Sequence, residues 1–142
     1  ALAPITLTAA NVECGLNKSI SSFTIPLGAT INMDGTAIMQ GCATFFLASL
    51  YGIDLGMPEI LTIVITATIA SIGTAGIPSA GIIMLTVIFT QIGIPLEGIT
   101  LLLGVDRLLD MMRTSINVSG DLCISCIVAN SENRIDETIF KS

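Results

Sequence analysis

A long interval without ionisable residues constrains this chain more than any other feature of its sequence. The segment from Ile60 to Leu96 contains no Asp, Glu, Lys or Arg, and a helix that crosses a bilayer needs about 20 predominantly apolar residues. In the whole chain, 52% of the residues are hydrophobic and only 11% are charged, whereas soluble domains carry about 25% charged residues. A chain of 142 residues is too short to bury several such apolar runs in a soluble core. The sequence therefore predicts a membrane protein.

Glycine, proline and polar residues interrupt the two longest apolar segments. The segment 60–92 has SIGTAGIPSAG at its centre, with three glycines and a proline between Gly73 and Gly81. Such a cluster does not fit the middle of one straight helix, and each flanking arm, of about ten to fifteen residues, is too short to span a bilayer. We therefore expect a re-entrant helical hairpin. The other segment, 23–50, is interrupted by the group NMDGT, which begins at Asn32.

The two interruptions together indicate a cavity. Irregular backbone at membrane depth is tolerated only where protein buries it or where it lines a cavity. One interruption alone is most simply explained as a packing kink, but two interruptions combined with charges favour a shared cavity. Unwound carbonyl groups in that cavity could ligate a cation, and the N-termini of helices could face an anion.

Hydropathy and turn residues divide the chain into five segments and predict an all-α membrane fold without a second domain. The segments are a short arm (3–14), a broken transmembrane helix (20–55), a re-entrant hairpin (58–95), a final transmembrane helix (99–130) and a polar, solvated tail (131–142). The chain lacks an initial Met and a signal peptide, so we expect it to begin within a longer protein. No basic patch is present that would indicate a nucleic-acid partner.

Ionisable and polar side chains follow one face of the predicted final helix. They are Asp106, Asp110, Arg113, Asn117 and Asp121, at spacings of 4, 3, 4 and 4 residues. Such spacings place side chains on a common face of an α-helix. Each ionisable group at mid-bilayer costs on the order of 2.5–3.5 kcal/mol, so these groups mark either function or pairing.

Pairing within the helix explains only part of this face. A ladder of salt bridges would account for Asp110 and Arg113 but would leave Asp106 and Asp121 in excess. A sheltered guanidinium is suited to bidentate binding of a carboxylate, and an aspartate one turn away could hold an ammonium group. Together these residues predict a pocket for an acidic amino acid.

Three motifs lie in order along the chain: NMDGT (32–36), SIGTAGIPSAG (71–81) and DRLLDMMRTSINVSGD (106–121). Together they resemble the glutamate/aspartate:sodium symporter family, also called the dicarboxylate/amino acid:cation symporters, over residues 3–130. The resemblance implies a homotrimer in the cell membrane, inner or plasma, whose multi-pass protomers each have a scaffold and a transport domain that moves like an elevator. This chain would be the C-terminal part of the transport domain, comprising the returning arm of the first hairpin, the seventh helix, the second hairpin and the eighth helix.

The resemblance also implies how an acidic amino acid is bound. Asp110 would hold the ammonium group of L-aspartate or L-glutamate, and Arg113 would hold its side-chain carboxylate. Thr114 and Asn117 would contact the backbone end of the substrate and Thr36 its side-chain end. The closing tip of the hairpin would contribute Ile77 and Gly81.

The resemblance further implies three sites for co-transported Na⁺ and no organic cofactor. The first would use carbonyl groups and one carboxylate, from Gly28, Asn32, Asn117 and Asp121. The second would use the carbonyl groups of Thr30, Ser71, Ile72 and Thr74, with the Met33 thioether nearby. The third would use the side chains of Asn32 and Asp34, completed by groups outside this chain. Oxygen-rich ligation suits a hard cation.

The favoured hypothesis is sodium-coupled symport of L-aspartate or L-glutamate, with no covalent chemistry. A proton-coupled carrier of the same amino acids, or a C4-dicarboxylate carrier, is the alternative within transport. Asp110 argues against pure dicarboxylates, which have no ammonium group, and Arg113 argues against neutral amino acids. More remote alternatives are a channel, which would need a continuous polar path, and an intramembrane aspartyl hydrolase that uses Asp34 and Asp110.

Overall fold

The computed structural model describes residues 3–73 and 80–140, and every regular element in these ranges is a helix. In chain order the elements are α1 (Ala3–Val12), α2 (Lys18–Ile31), α3 (Asp34–Leu50), α4 (Met57–Gly73), α5 (Ala80–Ile92), a 3₁₀ turn (Leu96–Gly98), α6 (Ile99–Leu103), α7 (Asp106–Ser131) and α8 (Glu137–Phe140). The all-α prediction is confirmed. Among the helices described, none combines the length and the apolar character that crossing a bilayer requires.

The chain leaves the helical conformation between α2 and α3, inside the NMDGT group. Asn32 (φ −124°, ψ 74°) and Met33 (φ −108°, ψ 61°) lie outside both helices, where the sequence predicts an interruption. The Asn32 N–H donates to the Gly28 carbonyl oxygen (2.8 Å), which closes the last turn of α2. The first N–H groups of α3 have no acceptor in their own helix, so they need acceptors from elsewhere in the fold.

The hairpin arms α4 and α5 pack against α3 and form the main core. The centre of this core consists of fully buried apolar side chains: Leu47, Ile63, Leu85, Ile88 and Phe89. The two arms are also joined by a hydrogen bond from the Thr66 hydroxyl to Oε1 of Gln91 (3.0 Å). Residues 74–79, which include the predicted site residues Thr74 and Ile77, lie outside the described residues.

The interval 99–130, predicted as one helix, is divided in the structure. The short helix α6 ends at Leu103, and α7 begins at Asp106. Between them Val105 takes φ −116° and ψ 1°, next to Gly104, a residue of low helix propensity. The final helix is therefore shorter at its start than predicted, and its first turn carries the Asp106 carboxylate, which the helix dipole favours at that end.

The polar tail folds back onto the turn between α1 and α2, in an arrangement that we call the tail clasp. Leu16 and Ile135 form an antiparallel bridge, and the Asp136 N–H donates to the Gly15 carbonyl oxygen (2.9 Å). The hydroxyl and the N–H of Thr138 donate to Oδ1 of Asp136 (2.5 and 3.0 Å), which lowers the pKa of this carboxyl. Most side chains of the tail that the structure describes are exposed, but its backbone is attached to the helices.

We predict that Gly15→Ala destabilises the protein more than Gly52→Ala does. Both glycines have a positive φ, +64° at Gly15 and +66° at Gly52, a conformation that costs an alanine about 1–2 kcal/mol. A methyl group at Gly15 would also lie 2.8 Å from the Asp136 carbonyl oxygen, whereas nothing lies within 4 Å at Gly52. Thermal unfolding should therefore show Gly15→Ala to be less stable than Gly52→Ala by a further ~1–3 kcal/mol. Equal stabilities would contradict the tail clasp.

Candidate functional site

The break between α2 and α3 lies against the polar side of α7. α7 packs against both α2 and α3, and the non-helical residue Asn32 contacts the side chain of Asp121 on the polar face of α7. The side chains predicted to bind the first and the third sodium ions lie at this junction. They are Asp121 for the first site, and Asn32 and Asp34 for the third.

Asp121 is the buried carboxylate of the junction. Its side chain is only 5% exposed, and its Oδ1 atom accepts a hydrogen bond from Nδ2 of Asn32 (3.3 Å). Gly28 lies so close to this carboxylate that a methyl group at position 28 would overlap Oδ1. Because Gly28 has no side chain, the last turn of α2 can approach Asp121 directly.

A second carboxylate, that of the exposed Asp34, lies beside the first. A methyl group added at Gly120 of α7 would be 3.4 Å from Nδ2 of Asn32 and 3.5 Å from Oδ2 of Asp34, so both side chains reach the same part of α7. Within residues 3–73 and 80–140, no Lys or Arg forms an ion pair with either carboxylate. Two neighbouring carboxylates without a cationic partner favour the binding of cations at this junction.

Asn117 connects α7 to the start of α3. Its Oδ1 atom accepts a hydrogen bond from the Gly35 N–H (2.8 Å), and so supplies one of the acceptors that the N-terminus of α3 needs. Its Nδ2 atom lies 3.4 Å from the hydroxyl of Thr36, a side chain that is almost completely buried. Gly35 permits this approach, since a methyl group there would lie 2.5 Å from the Arg113 carbonyl oxygen. Asn117 therefore holds the broken helix in register with α7.

Arg113 is the buried cation of the site. Its side chain is 9% exposed, and its Nη2 atom forms an ion pair with the half-exposed carboxylate of Asp110, one turn earlier. The other terminal nitrogen, Nη1, is buried and has no hydrogen-bond partner among the described residues. Gly81 of α5 lies against Nη1, where a methyl group would overlap it. Thr114, the next residue along α7, is half-buried. A buried guanidinium with a free donor is suited to an anionic oxygen, because an unmade hydrogen bond of a buried charge is costly.

The second predicted sodium site and the hairpin tip are described only in part. Met33 and Ser71 are buried, whereas Thr30 and Ile72 are exposed. α2 and α4, which carry the predicted carbonyl ligands, are in contact. The remaining predicted ligand of this site and one substrate contact fall within 74–79, outside the described residues.

Gln40 and Thr44, which were not predicted from the sequence, continue a buried polar stripe from the predicted site residue Thr36 along α3. Thr36, Gln40 and Thr44 follow one another at intervals of four residues, and all three are buried. The Thr44 hydroxyl donates to the Gln40 carbonyl oxygen (2.7 Å), whereas neither polar atom of the Gln40 side chain has a partner among the described residues. The signal that could have revealed the stripe is the helical spacing of three polar residues within an apolar segment. The stripe extends the polar surface of the site from Thr36 along α3.

Comparisons with known proteins identify the family. The family described as "Sodium:dicarboxylate symporter family" matches residues 1–131. Excitatory amino acid transporter 3 of Mus musculus is 48% identical over 118 residues, which cover 83% of this chain and 23% of the relative. Excitatory amino acid transporter 2 of Mus musculus is also 48% identical, with 83% and 21% covered. An excitatory amino acid transporter of Caenorhabditis elegans is 43% identical, with 83% and 24% covered.

A broken helix whose interruption faces ionisable side chains is typical of secondary transporters, a class whose established examples include members of this same family. The chain belongs to the sodium:dicarboxylate symporter family, and the resemblance carried by its three motifs is confirmed. The chain spans about a quarter of the length of the curated relatives it matches.

Proposed function

We propose that this chain is the C-terminal part of the transport domain of a secondary active transporter, a symporter of Na⁺ and acidic amino acids that performs no covalent chemistry. The arrangement of charges supports the proposal most directly. Among the described residues, the carboxylates of Asp34 and Asp121 lack a cationic partner, and one buried donor of Arg113 lacks an acceptor and so suits an anion. Such a site can bind a cation and an anionic group together. The names of the relatives, excitatory amino acid transporters, agree with this activity.

In this proposal Na⁺ binds at the break between α2 and α3. One ion uses the carbonyl groups of Gly28, Asn32 and Asn117 with the carboxylate of Asp121, and another uses the side chains of Asn32 and Asp34. Oxygen ligands suit a hard cation, and the positive charge removes the repulsion between the two carboxylates. A further ion uses carbonyl groups next to the Met33 thioether, from Thr30, Ser71, Ile72 and Thr74.

L-Aspartate or L-glutamate binds on the neighbouring turns of α7. In the absence of substrate, Asp110 and Arg113 neutralise each other. An acidic amino acid replaces this one ion pair with two, because its ammonium group pairs with Asp110 and its side-chain carboxylate pairs with Arg113. The other contacts come from Thr114 and Asn117 at the backbone end, from Thr36 at the side-chain end, and from Ile77 and Gly81 in the hairpin.

Coupling arises because the ions and the substrate favour the same conformation. Bound Na⁺ stiffens the break at Asn32 and Met33, which directly precedes the helix that carries Thr36, and substrate then binds to a site that is already ordered. Closure of the hairpin over the filled site completes the state that moves across the membrane. Such coupling requires that the ions bind the substrate-competent state more tightly than the empty one.

The whole transporter lies in the cell membrane, inner or plasma, as a multi-pass protein that works by elevator-type alternating access. It assembles as a homotrimer through a scaffold domain. Large apolar side chains exposed in this chain, such as Ile69, Ile83 and Ile127, then face lipid or other segments of the transporter.

The full-length protein in liposomes should accumulate radiolabelled L-aspartate only under an inward sodium gradient. Replacing external sodium with choline at constant pH should abolish uptake, and a proton gradient should not restore it. Succinate, which lacks an ammonium group, and L-alanine, which lacks a side-chain carboxylate, should compete poorly with aspartate. Uptake that is indifferent to sodium, or that a proton gradient supports equally well, would show that the ion assignment is wrong.

A further inference from the structure

A pair of hydroxyl groups lies one helical turn away from the Asp121 carboxylate, between the same two helices. Thr24 precedes Gly28 by four residues on α2, and Ser125 follows Asp121 by four residues on α7. Their hydroxyl oxygens are 2.7 Å apart. This contact therefore repeats, one layer further along the helices, the close approach of Gly28 and Asp121.

The two hydroxyl groups have fewer hydrogen atoms than short contacts. The Thr24 hydroxyl lies 3.0 Å from the Ile20 carbonyl oxygen, and the Ser125 hydroxyl lies 2.7 Å from the Asp121 carbonyl oxygen. Each hydroxyl has one hydrogen to donate, so two hydrogens serve three contacts and the groups must orient together. Either Thr24 donates to Ser125 and Ser125 to Asp121, or Ser125 donates to Thr24 and Thr24 to Ile20.

Burial makes each hydroxyl depend on the other. Ser125 is fully buried and Thr24 is half-buried, and a lost partner in a buried hydrogen-bond network is not readily replaced by water. Ser115 of the same helix makes the same kind of bond to its own helix, to the Met111 carbonyl oxygen (2.9 Å), but it is exposed. A serine can therefore bond to a carbonyl group of its own helix without contacting another helix, and such a bond does not explain why Ser125 contacts Thr24.

We propose that the Thr24–Ser125 hydroxyl pair is a positioning element for the sodium site at Asp121, an inference that rests on the proposed function. The pair holds α2 and α7 at a set separation one turn from the ligands Gly28 and Asp121, and neither hydroxyl is itself an ion ligand. Discrimination between cations depends on the size, ligand number and rigidity of a site. The pair therefore sets the affinity for Na⁺ and the preference for Na⁺ over Li⁺.

The test is the Na⁺ and Li⁺ dependence of aspartate uptake by the full-length protein in liposomes. Ser125→Ala and Thr24→Val should each raise the half-saturating Na⁺ concentration about 2- to 10-fold, as loss of one buried hydrogen bond implies. Each should also change the ratio of the half-saturating Na⁺ and Li⁺ concentrations, while uptake at saturating Na⁺ stays near that of the unchanged protein. Thr24→Ser keeps the hydroxyl group and should have the same Na⁺ dependence as the unchanged protein. Ser115→Ala, the control, should not alter it.

The double variant Thr24→Val/Ser125→Ala decides whether the hydroxyls act together. Because both single changes remove the same contact, the double variant should be no worse than the poorer single variant, and additive effects would overturn the proposal. Single variants that melt at a lower temperature but keep their Na⁺ and Li⁺ dependence would also overturn it, since the pair would then be purely structural. If Ser125→Ala does not fold, Thr24→Val tests the same contact from α2.

The unchanged protein in the same assay separates this inference from the proposed function. Uptake that does not require sodium in the unchanged protein refutes the proposed function and, with it, this inference. Sodium-dependent uptake in the unchanged protein, together with unaltered ion dependence in the variants, refutes the inference alone.

Discussion

Gly28→Ala is expected to raise the sodium concentration for half-maximal aspartate uptake about 5- to 150-fold. A methyl group at position 28 would overlap Oδ1 of Asp121, so either the carboxylate or α2 must move. Asp121 is buried and accepts a hydrogen bond from Asn32, which leaves the carboxylate little room. Forcing an extra methyl group into a packed site costs ~1–3 kcal/mol. Because the methyl group displaces a ligand of the proposed ion, this cost lowers the affinity for Na⁺.

Gly41→Ala is the matched control for this substitution. Gly41 lies within α3, and a methyl group there would have nothing within 4 Å. This variant should keep the sodium dependence unchanged and should stabilise α3 by up to ~1 kcal/mol, because alanine has the higher helix propensity. Sodium titration of uptake and thermal melting of the purified proteins measure both effects. An unchanged sodium titration in Gly28→Ala would mean that Asp121 does not bind the ion.

Arg113→Cys is expected to lower the affinity for L-aspartate by at least ~100-fold, because two charge-assisted hydrogen bonds to the substrate carboxylate are lost. The variant also leaves Asp110 without its ion-pair partner, so the site as a whole becomes more negative and repels a second carboxylate. A small neutral amino acid still offers an ammonium group to Asp110, and its binding should persist. Calorimetric titration of the full-length protein at saturating sodium, with acidic and neutral amino acids, measures this change of specificity.

Arg107→Cys is the control for the loss of charge. Arg107 lies on the same helix and is exposed, and we assign it no role in binding. Removing it takes one positive charge from α7 without changing the guanidinium of the site. If both variants lost aspartate affinity equally, a general charge effect would explain the result. If Arg113→Cys kept its aspartate affinity, the assignment of Arg113 would be wrong.

The features that could be predicted from the sequence are those that a short stretch of residues encodes. The break at Asn32 and Met33 was visible because polar residues and a glycine interrupt an apolar segment. The common face of Asp110, Arg113 and Asn117 was visible because α-helical periodicity follows directly from spacing. The structure has a non-helical break at Asn32 and Met33, and Asp110, Arg113 and Asn117 lie in the single helix α7.

The features that escaped prediction depend on contacts between distant segments. The separation of α6 from α7 at Val105 carries only the weak signal of one preceding glycine. The tail clasp depends on Ile135 meeting Leu16, and neither residue has a local property that indicates a partner. Thr24 and Ser125 are common residues in apolar helices, and only the packing of α2 on α7 makes a pair of them.

The sequence by itself determined the helical class of the protein, the position of its helix break and the identity of the ionisable groups, because composition and periodicity act over a few turns of chain. The tertiary structure decided which of those groups meet. Within the part of the chain that the structure describes, it brings Asp34 and Asp121 together without a cationic partner, and it leaves one donor of Arg113 beside Gly81 without an acceptor. The tertiary structure also shows why position 28 requires glycine: Asp121 of α7 occupies the space that a side chain at this position would fill. Such approaches depend on how whole helices pack, and no local pattern of residues encodes that packing.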